Sequence, residues 1–368
     1  AERLAAIQSS HGGQAIAGLA SPRLSNEDLY AFQRLFREQL ESSNLDHLTG
    51  AAGEPAHDDL GAILGVGAGT NLMSLGAGTT ALVVGADPEE EAPLYVLRLR
   101  GIMQRGGKLI VANLRPTKLE RSATTALRYR AGAELAFVRG LLRAALELGG
   151  DRLAVKQSGL DQLRRSLNET SLEALADVAG VGADALRAAA KAFVEAENGI
   201  IVYGAEARGA GPALLEALGA LAAIGGKAGK ANSGLIALLP GGNSRGALDM
   251  GVRPDARPGY APMAQPGIGA RDLWPAAQAG RVKALWIAAL DPAATLPAAR
   301  AALEAAEFVV VQELFLTETA QLADVVLPAA SAAERDGTYT NAERRVQRSR
   351  QARPPVGQSR PDWQIVQG

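Results

Sequence analysis

Two aspartates stand where a ligand contact would be placed. Asp87 ends Gly85-Ala86-Asp87 and Asp291 ends Ala289-Leu290-Asp291, and both are followed by proline. Each trails a short apolar run, so each sits where a parallel strand would release the chain at the carboxyl edge of a sheet, the usual ligand edge of α/β proteins. A carboxylate there can accept hydrogen bonds from a ribose or a purine. It can equally cap the next turn, and spacing alone leaves both readings open. A third candidate is the segment Gly241-Gly242-Asn243-Ser244-Arg245-Gly246-Ala247-Leu248-Asp249-Met250-Gly251. Glycines bare the backbone amides to an anionic or heterocyclic ligand, and Asn243, Ser244 and Asp249 could read its polar edge. The alternative is a glycine loop held by its own Asn and Asp side chains.

Other chemistry is thinly supported. Gly65-Val66-Gly67-Ala68-Gly69-Thr70 fits neither Walker A nor a dinucleotide fingerprint, and Gly225-Gly226-Lys227 follows a helical stretch, where glycines end helices. Glu89-Glu90-Glu91 follows Pro88 and reads as carboxylates favouring a helix N-terminus. No Gly-x-Ser-x-Gly elbow occurs. His11, His47 and His57 lack the spacing of a metal pair, and the absence of cysteine excludes disulfides and thiolate-held zinc or iron–sulfur clusters on this segment. A formal net charge of −1 offers no basic excess for phosphates, which argues against nucleic acid as a partner. No apolar run reaches the length of a membrane span, so direct membrane insertion is not expected. Ala1 in place of Met, and the apolar pair Ile365-Val366 close to the last residue, lead us to expect that both ends continue in a longer protein.

These residues need elements to position them. Apolar residues make up 47% of the chain and aromatics only 4%, which suits Ala-rich helices packed closely on sheets. Runs such as Ala81–Gly85, Lys108–Ala112, Gly199–Gly204, Ala284–Ala288 and Phe308–Val311 are continuously apolar and β-branched, as in parallel strands covered on both faces. Helical patterns lie between them. Ser25 is a candidate N-cap with Asp28 three residues on. Glu134–Leu148 is a second helix, Ser171–Ala196 breaks at Gly180-Val181-Gly182, and Pro212–Ile224 starts on proline. The alternation predicts an α/β fold of two doubly wound, mostly parallel domains. A weak internal repeat of about 200 residues supports two domains. Asp87-Pro88 and Asp291-Pro292 are each followed by a further strand and a threonine-bearing segment, Pro116–Glu120 and Phe315–Ala320.

Three stretches together resemble the molybdopterin oxidoreductase superfamily. They are Ile16–Asp28 with Asn44-Leu45-Asp46-His47; Gly85–Pro88 with Ala92-Pro93 and Arg105–Lys108; and Glu318-Thr319-Ala320 with Ala323-Asp324-Val325-Val326-Leu327-Pro328 and Gly337-Thr338-Tyr339-Thr340-Asn341. The resemblance spans nearly the whole chain and is most specific in the last stretch. Within the superfamily the wording Ala20–Glu27 and Gly85–Pro93 is most similar to the large iron–sulfur subunit of bacterial NADH-quinone oxidoreductases (complex I). The alternative is a formate dehydrogenase type that depends on a molybdopterin guanine dinucleotide, and Glu343-Arg344-Arg345-Val346-Gln347 resembles that group.

The complex I resemblance implies a first domain at 1–47 plus 197–350, an inserted domain at 48–196, and a tail, 351–368, leading to a further C-terminal domain. Active relatives carry Asn-Thr-Arg-x-Cys-His after the Asp-His pair; this chain has Leu48-Thr49-Gly50-Ala51-Ala52-Gly53. The metal-ligand position falls on Ala52, and a methyl group cannot coordinate. Asn113 stands where such enzymes have an aspartate on the guanosine, and an amide, whose second end is a donor, cannot replace a carboxylate that accepts two hydrogen bonds. The implied reading is a scaffold region without metal, cofactor or catalysis of its own. It would keep a vestigial dinucleotide cleft at Gly85, Asp87, Asn113, Gly242, Asn243, Gly246 and Asp249. Fe–S clusters would lie in a preceding N-terminal region, and other peripheral-arm subunits would be its partners on the cytoplasmic side of the membrane.

Overall fold

The continuous apolar runs form strands, and the strands are parallel. A computed structural model of the chain describes residues 1–48, 59–148, 161, 165–167 and 170–368. The chain divides into two units, unit 1 being Ala1–His57, Pro240–Asn341 and Arg345–Gly368, and unit 2 Asp58–Leu239 with Ala342–Arg344.

Unit 1 contains β1 (Ile16–Ala20), β2 (Leu45–His47), β8 (Ala284–Ala288), β9 (Phe308–Glu313) and β10 (Val325–Pro328) in the order β10-β9-β8-β1-β2. Unit 2 contains β3 (Thr79–Val84), β4 (Lys108–Asn113), β5 (Thr125–Arg128), β6 (Asn198–Tyr203) and β7 (Gly234–Ala237) in the order β5-β4-β3-β6-β7. Every pairing within the two sheets is parallel. A short antiparallel pair, β11 (Gly337–Thr340) and β12 (Val346–Ser349), stands apart from them. The central strands are buried along their length because helices cover both faces, which is why they show no alternation.

Local signals in the sequence set the helix ends. Ser25 Oγ accepts from Asp28 N at 3.2 Å and Asp28 Oδ2 accepts from Ser25 N at 3.0 Å, a closed capping box opening the helix Asn26–Arg34. The helix Leu172–Ala179 ends on Gly180 at φ 72°, and the next helix begins at Ala183.

The domain boundary differs from expectation. Residues 197–239 belong to unit 2, because β6 pairs with β3 from Thr79↔Asn198 to Val84↔Tyr203 and β7 extends the same sheet. An apolar run such as Ile200–Tyr203 is buried in either sheet, so its composition does not say which neighbour it pairs with. The tail ends in a helix, Asp362–Gln367, that packs on unit 1 with Asp362 buried.

A polar network holds that helix. Trp286 Nε1 donates to Gln312 Oε1 at 3.1 Å, and Gln312 Nε2 donates to Asp362 Oδ1 at 2.7 Å. Arg335 Nη1 pairs with Asp362 Oδ2 and lies 2.9 Å from Asp28 Oδ2, while Trp363 N donates to Asp28 Oδ1 at 3.0 Å. One buried guanidinium thus serves two buried carboxylates. Burial and the neighbouring Asp28 charge push Asp362 up to about 7 against the opposing pull of Arg335.

Candidate functional site

In each sheet the chain winds outward in both directions from the centre. In unit 1 it runs β8, β9, β10 one way and β1, β2 the other, so the crevice of a doubly wound sheet opens between the carboxyl ends of β1 and β8. In unit 2 the corresponding place lies between β3 and β6. The loops after these strands hold Gly85, Asp87 and Asp291, while Asn113 ends β4 and the Gly241–Gly251 segment follows β7.

The unit 1 crevice is a cavity of about 460 Å³, within the range of small-molecule sites. Ser21, Pro22 and Arg23 from the end of β1 line one side, Ala289, Leu290, Asp291 and Thr295 from the end of β8 the other, and Gly241 closes it. Gly241 has φ 90°, and a Cβ on it would meet the Pro22 ring at 2.7 Å, so glycine is what lets this loop approach. Arg23 is exposed and its guanidinium has no ion-pair partner among the described residues. Asp291 Oδ1 accepts from Thr319 N at 2.9 Å and Oγ1 at 2.7 Å, so this carboxylate ties two loops together and also faces the cavity. A smaller chamber of about 190 Å³ shares the Arg23 and Ala289 walls and reaches Glu313, Arg335 and Asp362. Burial raises the Glu313 carboxyl and Asp291 adds to the rise, while the Leu314 amide and Arg23 oppose it.

At the unit 2 crevice the side chains bond to one another and to the backbone across the strand ends. Glu91 Oε1 accepts from Asp87 N at 2.8 Å and Glu91 Oε2 from Ala205 N at 2.6 Å. Arg115 bridges Asp87 Oδ2 at 2.9 Å and Glu206 Oε1 at 2.8 Å. Asn113 is buried, donating through Nδ2 to Ala86 O and accepting at Oδ1 from Arg115 N. Gly85 has φ 53°, and a Cβ there would stand 2.7 Å from Ala207 N; its missing side chain serves internal packing.

The structure therefore gathers Gly85, Asp87 and Asn113 at one sheet edge. The other sequence candidates lie in unit 1 and are mostly committed. Asn243 is fully buried, donating to Leu24 O at 2.8 Å and accepting from Thr340 N at 2.6 Å. A Cβ on Gly246 would stand 2.1 Å from both Asn243 Oδ1 and Asn26 Oδ1, so its role too is packing. Asp249 Oδ1 accepts from Tyr260 Oη at 2.6 Å. Gly242 is exposed, next to the Gly241 that lines the cavity. Asp46 and His47 are buried; Asp46 Oδ2 accepts from Ala270 N at 2.9 Å and His47 Nδ1 lies 2.9 Å from Val252 O. Ala52, with Gly50, Gly53 and Asp58, lies outside the described residues. Sequence reasoning missed Arg23, Glu91, Arg115 and Thr295. Glu91 was assigned to a helix dipole, yet it ends its short helix and bonds backbone amides outside it. The available signal was the internal repeat: Glu91 stands four residues after Asp87, as Thr295 does after Asp291.

Comparison with known proteins follows the fold. The Molybdopterin oxidoreductase family matches residues 1–368. The NADPH-Fe(3+) oxidoreductase subunit alpha of Geobacter sulfurreducens is 35% identical over 389 aligned positions, covering 100% of this chain and 46% of that protein. The F420-dependent formate dehydrogenase 2 subunit alpha of Methanococcus maripaludis is 33% identical, covering 95% and 56%. Formate dehydrogenase H of Escherichia coli is 29% identical, covering 100% and 55%. The chain thus spans about half the length of these curated relatives. Among solved structures, acetylene hydratase from Pelobacter acetylenicus superposes with a TM-score of 0.73 at 20% identity, covering 99% of this chain and 56% of that one.

These findings correct two expectations. The names of the relatives side with the formate dehydrogenase alternative over the complex I subunit. The expectation that this region carries no cofactor is overturned by the match of the entire chain to a cofactor-named family and its formate dehydrogenase relatives. The error was to infer loss of the whole group from Ala52 and Asn113 alone. Among the described residues no helix is long and apolar enough to cross a membrane. Two doubly wound parallel sheets and a match running from the first residue to the last lead to one conclusion: the chain belongs to the molybdopterin oxidoreductase family.

Proposed function

We propose that this chain is the dinucleotide-holding α/β region of the alpha subunit of a multi-subunit oxidoreductase of the formate dehydrogenase type. The observation that carries the reading is the open cavity at the unit 1 switch point, walled by an unengaged guanidinium and a carboxylate. The residues there suit a pterin guanine dinucleotide. Arg23 can pair with a phosphate oxygen, and Ser21 Oγ can donate to one. Asp291 can accept from a base or sugar through the carboxylate oxygen that Thr319 leaves open, and the Gly241-Gly242 backbone allows close approach. When bound, the group supplies two-electron redox chemistry at its metal. Ala52 offers that metal no donor atom and the chain has no cysteine, so we assign to this chain the holding of the organic part of the group. Glu313 and Asp362, both raised by burial, line the adjoining chamber, and Asp362, pushed up to about 7, can hold a proton beside the cavity near neutrality.

Partner subunits belong to the same proposal, since the relatives above at 35% and 33% identity are named as alpha subunits. The test is the content of molybdenum, tungsten and oxidised pterin in natively purified protein. Stoichiometric pterin supports the reading. Protein that is folded and free of pterin and of both metals overturns it.

A further inference from the structure

The two crevices occupy equivalent places, and one side chain separates their fates. Gly85 at φ 53° and Ala289 at φ 55° follow the equivalent strands β3 and β8. Asp87 and Asp291 come two residues later, each before a proline at the start of a four-residue helix. The last residue of that helix is Glu91 in unit 2 and Thr295 in unit 1. Across the crevice, the residue after β6 is Gly204 and the residue after β1 is Ser21. Thr295 and Ser21 line an open cavity, while the Glu91 carboxylate spans the gap and takes the amides of Asp87 and Ala205.

Three further observations bear on the closed state. A Cβ on Gly204 would lie 2.2 Å from Glu91 Oε1, so glycine at that position serves Glu91. Asp87, Glu91 and Glu206 put three carboxylates at this edge. Arg115 is already shared between two of them, and Arg208 acts on Glu91 only through its field. A phosphate entering would meet like charge and would have to displace a carboxylate tethered in place. Burial raises the Glu91 carboxyl, and the two amide hydrogen bonds work against that rise.

We propose that Glu91 fills the unit 2 crevice from within, so that a phosphorylated ligand of this chain engages the unit 1 crevice alone. The statement about unit 1 rests on the function proposed above; the statement about Glu91 does not. The experiment is an amide NMR titration of the 368-residue chain with guanosine monophosphate as the probe. In the wild type the amides of Ser21, Arg23 and Gly241 are expected to move, while those of Asp87 and Ala205 stay fixed. Glu91→Ala without ligand should shift the Asp87 and Ala205 amides upfield, as each loses a charged acceptor. Glu91→Gln, nearly isosteric, keeps one oxygen acceptor and should shift only one of the two. Movement of the Asp87 and Ala205 amides on adding nucleotide to the wild type would overturn the proposal. So would a Glu91→Gln protein in which neither amide moved. Unmoved unit 1 amides, with the Glu91 signature intact, would instead count against the proposed function and leave the filled crevice standing.

Discussion

Unit 1 and unit 2 carry the same strand order and opposite carboxyl edges. In unit 1 the charges are segregated: a buried guanidinium, Arg335, neutralises two carboxylates behind the sheet edge, and Arg23 is left outward over the cavity. In unit 2 the charges close on one another at the edge, with Arg115 half-exposed between Asp87 and Glu206 and Glu91 across the gap. The fold places a crevice in both sheets. Whether that crevice is a site depends on whether its polar groups find partners within the chain.

The strongest way to break this contrast is to remove the guanidinium from each edge. Arg335→Met strands two buried carboxylates and should cost about 3–5 kcal/mol of stability. Arg115→Met should cost less, about 1 kcal/mol, because its guanidinium is half-exposed and its loss leaves Asp87 and Glu206 nearer to water than Asp28 and Asp362 are. Denaturant unfolding of the two variants compares them directly, and equal losses would mean that burial does not separate the edges as described. A second test transplants the plug. Thr295→Glu should fill the unit 1 cavity as Glu91 fills its own, weakening binding of guanosine monophosphate at least about tenfold, equivalent to about 1.4 kcal/mol. Unchanged affinity would show that the side chain at this position does not govern access.

Backbone strain gives a smaller pair of effects. Gly85→Ala should destabilise by about 1–3 kcal/mol, since it adds a Cβ at positive φ against Ala207. Ala289→Gly should be neutral or stabilising by up to about 1 kcal/mol, because alanine already bears the left-handed cost there. The last test is titration. The Asp362 carboxyl is raised from 3.8 to about 7, so the folded state holds that proton more tightly than the unfolded chain does. Its contribution is therefore full below 3.8 and lost as pH climbs through about 7. Melting temperatures of the wild type should fall across this interval relative to those of Asp362→Asn, whose profile should be flatter. Parallel profiles would assign the titration elsewhere.

Much of the scaffold was legible in the sequence. Parallel strands buried on both faces leave unbroken apolar runs, and Ser25 with Asp28 announced a capped helix that closes as expected. The paired Asp-Pro loops were legible for the same reason, since a strand end, a turn and a helix start each restrict residue type. Sheet membership was not, as β6 shows: a run apolar on all sides fits either sheet, and only partners distant in sequence decide. The candidate site was half legible. Asp87 was found by its place after a strand and Asn113 by the family resemblance, yet what the crevice does depends on Glu91 reaching Ala205 across more than 100 positions of chain. Asn243 and Asp249 were chosen for polar side chains that prove to be spent on Leu24, Thr340 and Tyr260.

The interruption of unit 1 has a consequence for how the polypeptide is made. Its interior strand β1 pairs with the central strand β8, whose residues leave the ribosome more than 260 positions later. Nearly all of unit 2 is encoded between them as one uninterrupted stretch. A nascent chain therefore completes its second sheet first, while β1 and β2 wait with apolar faces bare. At about 5–20 residues per second that wait lasts on the order of tens of seconds. Chaperone capture during synthesis should accordingly fall on β1 and β2, which are translated long before β8 is there to pair with β1.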